Sequence, residues 1–430
     1  MPQTVDLLII HARQLITCAS HGPKRGAAMA DVGIIEDGAV AVQDGQILAV
    51  GPSAELLARY AARTTLDAAG KVVTPGFVDA HTHVVYAGDR VAEFEMRIKG
   101  ATYMEIMAAG GGIVSTMRAV RAATAAQLAA ETHARLDEML ALGTTTAEVK
   151  TGYGLSVKAE LKLLRAIAQL HDDHPMTLIP TFLGAHAVPP EYQGRTDAYV
   201  DLVVNEMIPA AASWRASSSF VREKTPFFCD VFCEAGVFDA AQSRRVLEAG
   251  RAHGMTPKIH ADEFENLGGV ALAVALRATS VDHLDVTPKE EFARLAASDT
   301  VGVVLPAVNF NLGGCHFADA RGLIDAGVVL ALATDINPGS APTPSMPMVM
   351  AIATRYQKLL PAEALNASTI NAAYAVGLGH RIGSLQAGKR ADILILATSD
   401  YRHLAYEFGK NFVATVIKEG KVVIEGDAIA

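Results

Sequence analysis

The chain has 430 residues, a formal charge of −9 and a pI near 5.9, values that exclude a basic nucleic-acid groove. Half of its residues are hydrophobic, the mean hydropathy is +0.24 and only 6% are aromatic, a composition suited to helices packed on parallel strands. Cys18, Cys229, Cys233 and Cys315 are too few and too scattered for a disulfide framework, and Cys229 and Cys233 read better as buried free thiols than as zinc ligands. The N-terminal MPQTVDLLIIHARQL holds Asp6 and no basic segment, so no signal peptide is expected. The uncharged stretches 300–318 and 336–354 contain Pro, Asn and Gly and do not read as membrane spans, so the expected compartment is the cytosol.

In chain order, strand signals at 6–10 and 38–50, the latter a hairpin about Asp44-Gly45, open the sequence. Similar signals at 391–396, 412–417 and 421–426, with Glu419-Gly420 as a turn, close it. Residues 1–70 and 387–430 are therefore expected to form one small β-sandwich domain around a central domain, 71–386. In that middle, an apolar run ends at His81-Thr82-His83, and a connection at 84–117 carries Gly110-Gly111-Gly112. This connection holds glycines and Arg90 and reads as a lid. Helices are expected at 125–142, 160–170, 240–253 and 266–276. Strands are expected at 144–149, 177–183, 228–233, 256–260, 280–283, 301–306 and 328–334, with 213–226 as an irregular insertion. Eight strands alternating with helices predict an α/β fold of the (β/α)8 TIM-barrel type. A doubly wound sheet would need a phosphate loop or GxGxxG after the first strand, and none occurs there.

In such a barrel the C-terminal strand ends share one mouth. Reading them in order yields His81 and His83, Lys150, His186, Glu234, His260, His283 and Asp335. Polar groups ending apolar runs are costly unless paired or bound to a metal. His81 and His83 share a strand face, and with His260 and Asp335 they supply the four N/O ligands of a mononuclear site. Imidazole and carboxylate suit Zn(II) or Fe(II/III) alike. A metal there would bring the pKa of bound water to about 7 and polarise a carbonyl. Glu263, three residues beyond His260, is placed to shuttle a proton; its alternative is to cap the helix expected from 266. His283 would hydrogen-bond a forming oxyanion, against a plain buried histidine.

These motifs identify the chain as a member of the amidohydrolase superfamily, through HxH after PGFVDA, the later histidines, the strand-eight Asp335 and the tail GSLQAGKRADILIL (383–396). Within it the sequence resembles the imidazolonepropionase family in HTHVVYAGDRVAEF (81–94), the run from Tyr103 to Ile113, EVKTGYGL (148–155), HADEF (260–264) and ATDINPGS (333–340). The resemblance spans nearly the whole chain. It implies hydrolytic opening of 4-imidazolone-5-propanoate to N-formimidoyl-L-glutamate, a step of histidine degradation, with Glu263, His283 and Asp335 as catalytic residues. It also implies Arg90, Tyr103, Tyr153, His186, Glu263, Asn337, Gly339 and Ser340 as substrate contacts. A bidentate cation suits the propanoate tail, and Arg90 supplies one. A homodimer is implied as well, with no nucleic-acid or membrane partner.

Binuclear members of the superfamily place a carboxylated lysine at the end of strand four, where this chain has Cys233-Glu234-Ala235-Gly236. Lys150 ends strand two, so one Zn(2+) or Fe(3+) per chain is expected. Two other readings share part of the pattern. A cyclic-amidine deaminase would use the same HxH and HxxE but has no need of Arg90 with Tyr153. A non-catalytic metal-binding barrel has no need of Glu263 and His283.

Overall fold

The structure is a computed structural model that describes residues 2–101, 105 and 110–425; Tyr103, expected to touch substrate, lies outside the described residues. Strands β1 (Gln3–Ile16), β2 (Ile34–Gln43), β3 (Gln46–Pro52), β4 (Tyr60–Asp67) and β5 (Val72–Pro75) begin the chain. The barrel strands are β6 (Phe77–Asp79), β7 (Thr144–Lys150), β8 (Thr177–Ala185), β9 (Phe228–Cys233), β10 (Thr256–Pro257) with β11 (Ile259–Ala261), β12 (Ser280–His283), β13 (Val301–Val304) and β14 (Leu330–Leu332). The chain closes with β15 (Ile393–Leu396), β16 (Val413–Lys418) and β17 (Lys421–Glu425).

Both termini build one sheet in the order β17-β16-β15-β5-β1-β2-β3, with β4 beside β1. The hairpin turns fall where expected. Asp44 and Gly45 have φ of 51° and 73°, and Glu419 and Gly420 have 49° and 75°, the left-handed pair that joins twisted strands in a two-residue turn. In β1 the side chains alternate between the sheet's two faces, Leu7 and Ile9 entering one apolar cluster and Leu8 and Ile10 another. Strand β4 is an addition to the expected set; β5, the start of the expected first barrel strand, pairs with β1 and β15 in this terminal sheet. The expected first barrel strand is thus divided at Gly76, where the chain passes from one sheet to the other. A Cβ on Gly76 would lie 2.3 Å from Thr145 Oγ1, so only glycine allows the crossing.

The central strands are parallel, in the order β6-β7-β8-β9-β11-β12-β13-β14, and every residue of β7 and β8 is buried. Helices Ala125–Ala141, Val157–Asp173 and Ala240–Ala252 cover them, their starts capped by Thr124, Ser156 and Asp239. The stretch 213–226 is not an irregular insertion. Helix Ile208–Ala216 runs through its start and Ser219–Arg222 forms a further turn. Pro209, which has no N–H, follows a wide π-type turn at Val203–Met207 that absorbs the missing bond, so the proline does not end the helical path.

The seam between β6 and β14 closes just above the strands. Asp335 N–H donates to the His81 carbonyl (3.0 Å) and His83 N–H to the Ile336 carbonyl (3.0 Å). Below, buried Asp79 accepts from Thr334 N–H (3.0 Å) and its hydroxyl (2.5 Å). Burial raises the Asp79 carboxyl to about 7 despite these bonds. Thr334→Val should cost about 1–3 kcal/mol by leaving an Asp79 oxygen without its donor. An unchanged urea midpoint would show that this bond does not hold the seam.

Candidate metal centre and substrate pocket

Asp79, His81 and His83 project to the same side because the side-chain period along an extended chain is two. His81 Nε2 lies 3.3 Å from His83 Nε2, which is 3.4 Å from His260 Nε2. Asp335 Oδ1 lies 3.4 Å from both His81 Nε2 and His83 Nε2, and it is buried with no hydrogen-bond donor among the described residues. Ligands at about 2.0–2.1 Å around a tetrahedral ion sit about 3.3–3.4 Å apart, so these four groups have the spacing of a ligand set. Burial first, then Lys150 for His81 and the adjoining His186 for His83, pushes the His81 and His83 imidazoles well below their ordinary pKa, which leaves neutral rings with free lone pairs.

Two of the imidazoles are backed by carboxylates. His81 Nδ1 is 2.6 Å from Asp282 Oδ2, and His260 Nδ1 is 3.1 Å from Asp230 Oδ2. Beneath them Glu148 joins two fully buried lysines, accepting from Lys150 Nζ (2.7 Å) and Lys258 Nζ (2.6 Å). Lys150 Nζ also donates to Asp230 (2.7 Å) and faces Asp282 at 3.5 Å. Burial opposes its charge, but Asp230 and Glu148 outweigh that and hold the ammonium above its ordinary pKa. Three carboxylates against two ammoniums leave one negative charge, Asp335 adds another, and a doubly charged cation would balance both. The residues therefore fit a metal by spacing, lone pairs and charge.

Around this centre, His186 follows β8 and stacks on His83, with ring centroids 4.7 Å apart at 11°. Its Nδ1 is held 3.1 Å from the Gly152 carbonyl. Tyr153 is buried with its ring 5.7 Å from His83. The loop carrying Tyr153 is tied down by Glu160, which accepts from Gly152, Gly154 and Leu155 N–H.

His283 Nε2 lies 3.6 Å from Glu263 Oε2. Burial, then Asp335, raises the Glu263 carboxyl well above the usual carboxylate range. The helix beyond it starts at Gly269 with no side-chain cap, so Glu263 does not cap it and turns instead to His283. Glu234, at the end of β9, accepts from Phe264 N–H (2.9 Å) and Glu265 N–H (3.0 Å) and so holds the Glu263 turn. His283 has φ 82° and Asp335 φ 52°, strained for residues with a Cβ. Asp282 already faces the barrel interior, and a regular strand would send the next side chain outward to the helices; the positive φ turns His283 back to the mouth.

Asn337 shapes the turn after Asp335. Its Nδ2 donates to Asp335 Oδ2 (3.1 Å) and Ser340 Oγ (2.9 Å), and its Oδ1 accepts from Gly339 and Ser340 N–H (2.8 Å each). Arg90 arrives from the first loop and is gripped by Glu93 Oε2 through Nε (2.8 Å) and Nη2 (2.7 Å). A Cβ on Gly339 would lie 2.1 Å from Arg90 Nη1, so a larger residue would displace the guanidinium from this position. Cys229 and Cys233 are buried free thiols.

The sequence reading missed Asp230, Asp282, Lys258 and Glu93 and passed over Glu148. Their signal was present: Glu148-x-Lys150, Lys258-x-His260 and Ser280-x-Asp282 place polar groups at period two inside apolar strands. Asp282→Asn should weaken metal retention about 10- to 100-fold through its hold on His81. Competition against a chelator measures this, and equal retention would remove Asp282 from the site's support.

The Amidohydrolase family profile matches residues 240–423, and an imidazolonepropionase-like composite domain of bacteria matches 38–62. The chain is 58% identical over 423 residues to the imidazolonepropionase of Chloroflexus aggregans, covering 98% of this chain and 99% of the relative. It is 54% identical to that of Herpetosiphon aurantiacus, over 97% of each chain. Among solved structures it is similar in fold to a zinc-bound adenosine deaminase from Xanthomonas campestris (TM-score 0.72, 22% identity, 100% and 95% coverage). It is likewise similar to Escherichia coli guanine deaminase (TM-score 0.71, 17% identity, 98% and 99% coverage). Full-length identity at this level shows that the chain belongs to the imidazolonepropionase family of amidohydrolases.

Proposed function

We infer that this protein hydrolyses the ring C–N amide bond of 4-imidazolone-5-propanoate to N-formimidoyl-L-glutamate. The observation that carries the reading is the ligand cluster of His81, His83, His260 and Asp335 set beside Arg90 and the Gly339 turn, in a chain alike over its full length to imidazolonepropionases. Neither of the other two readings is favoured. A deaminase makes no use of the Arg90 grip, and a scaffold makes none of the strained His283 turned toward Glu263.

A metal bound by His81, His83, His260 and Asp335 supplies an activated water and polarises the ring carbonyl. The imidazole and carboxylate donors suit zinc and iron alike. One ion per chain is supported by Lys150, whose Nζ is committed to Glu148 and Asp230 with Asp282 nearby. Arg90 binds the propanoate carboxylate, while Tyr153 and His186 wall the ring beside His83. Asp335 or an ionised Glu263 accepts the proton of the attacking water, and His283 Nε2 donates to the oxygen that gains charge. Glu263, biased toward its protonated form, delivers the proton to the departing ring nitrogen. Water thus adds its hydroxyl to the carbonyl carbon and its hydrogen to nitrogen as the C–N bond breaks. Asn337 and Ser340 hold the turn that brings Gly339 against Arg90.

No helix among the described residues is long and apolar enough to cross a membrane. We propose a homodimer on family grounds, a cytosolic location from the residue patterns, and, from the strand signals at both ends, a division into a terminal β domain (1–70 with 387–430) and a barrel (71–386). The pairing of Val72–Pro75 favours moving the first boundary to Gly76.

The test is loss of imidazolone absorbance on incubation with metal-loaded protein. Chelation should abolish turnover and added zinc or iron restore it; a metal-loaded protein that leaves the substrate intact refutes the reading. Glu263→Gln should lower kcat about 10²- to 10⁴-fold with metal content unchanged. A variant retaining most of its kcat would remove Glu263 from the proton path.

A further inference from the structure

Arg90 and Arg97 stand at opposite ends of one short helix, Val91–Ile98, and converge on one residue of the loop that follows Asp335. Arg90 packs against the bare Cα of Gly339, and Arg97 Nη2 donates to the Gly339 carbonyl at 3.1 Å. Their charges are not treated alike. Glu93 takes Arg90 through two nitrogens and also accepts from Gly112 N–H (3.0 Å), so its carboxylate is spent. Arg97 forms no ion pair among the described residues; its Cζ lies 6.0 Å from the Phe94 ring centroid, and Arg90 and Glu93 act on its charge only from beyond contact distance. Two guanidiniums with one carboxylate carry a net positive charge in a partly buried place, a site that one further carboxylate would complete.

We propose that Arg97 is the second cation of the substrate-carboxylate subsite, acting with Arg90 to make the enzyme specific for an anionic side chain. This rests on the reaction proposed above. Glu93 neutralises Arg90 and fixes its plane, so Arg97 supplies the charge that the propanoate balances. Burial, then the adjacent Arg90 guanidinium, depresses the Arg97 ionisation, as expected of a cation waiting for its counter-charge. The subsite also reports to the metal centre. From Arg97 the hydrogen bonds run through the Gly339 carbonyl, Gly339 N–H to Asn337, and Asn337 to Asp335 Oδ2. An anion drawn onto Arg97 is thereby held against the turn that carries a ligand.

The experiment compares wild type with Arg97→Met, Arg97→Gln and Arg97→Lys on the propanoate substrate and on its uncharged propanamide analogue. Gln keeps a donor for the Gly339 carbonyl but not the charge. Met and Gln should both raise KM for the propanoate about 10- to 100-fold, with kcat and the KM for the amide little changed. Lys should recover most of the loss. An unchanged KM in both, recovery by Gln, or equal rises for acid and amide would overturn the proposal, the last two by showing a structural role. Calorimetric binding of the product, N-formimidoyl-L-glutamate, which keeps the same side-chain carboxylate, makes the comparison on the same variants without turnover. A wild type that binds the propanoate in an Arg97-dependent way but does not open the ring would sink the reaction reading while sustaining the subsite.

Discussion

Charge balance inside the barrel is the constraint on which the rest of this structure depends. Glu148, Lys150, Asp230, Lys258 and Asp282 are all fully buried, where an uncompensated ion costs several kcal/mol. They are tolerable only as a connected set, with Glu148 joining the two lysines and Lys150 reaching Asp230. That set does more than satisfy itself. Its outer carboxylates, Asp282 and Asp230, face the Nδ1 atoms of His81 and His260 and so aim the opposite nitrogens at one point. The residual negative charge makes the same point attractive to a cation. Ligand orientation and cation affinity follow from one buried network.

Above that layer the geometry is set by departures from regular strand. His283 and Asp335 sit at positive φ, which costs of order 1–3 kcal/mol each and survives because packing and hydrogen bonds determine the conformation. Asp335 N–H is held by the His81 carbonyl and its Oδ2 by Asn337. The seam of the barrel and the ligand set are therefore the same bonds. Because Asn337 also fixes the Gly339 turn, and Gly339 receives Arg90 and Arg97, the parts that bind metal and those that read substrate charge form one hydrogen-bonded unit.

Much of this was legible in the residue order. Two-residue spacing put His81 and His83 on one face, and turn-forming Asp44-Gly45 and Glu419-Gly420 marked the hairpins. Alternation of apolar runs with helical periodicity counted eight barrel strands. The misses have physical causes. The stretch 213–226 carries no clear apolar periodicity, yet its start continues helix Ile208–Ala216, which packing rather than local pattern secures. The first apolar run was read as one strand, whereas Val72–Pro75 pairs in the terminal sheet; only the close approach of Thr145 to Gly76 separates the two.

By itself the sequence determined the fold class, the identity of the metal-binding side chains and the attachment of Arg90 to the same stretch as the HxH pair. Local spacing and strand-end position suffice for these, since the side-chain period and the shared mouth of a barrel are properties of the backbone. Tertiary structure decided what those side chains do to one another. That Asp282 serves His81, that Glu234 holds the turn of Glu263, and that Glu93 pairs with Arg90 while Arg97 has no ion pair among the described residues are facts of distance. Residues far apart in the chain acquire such roles only when packing brings their polar atoms within reach and burial makes each unmet bond costly.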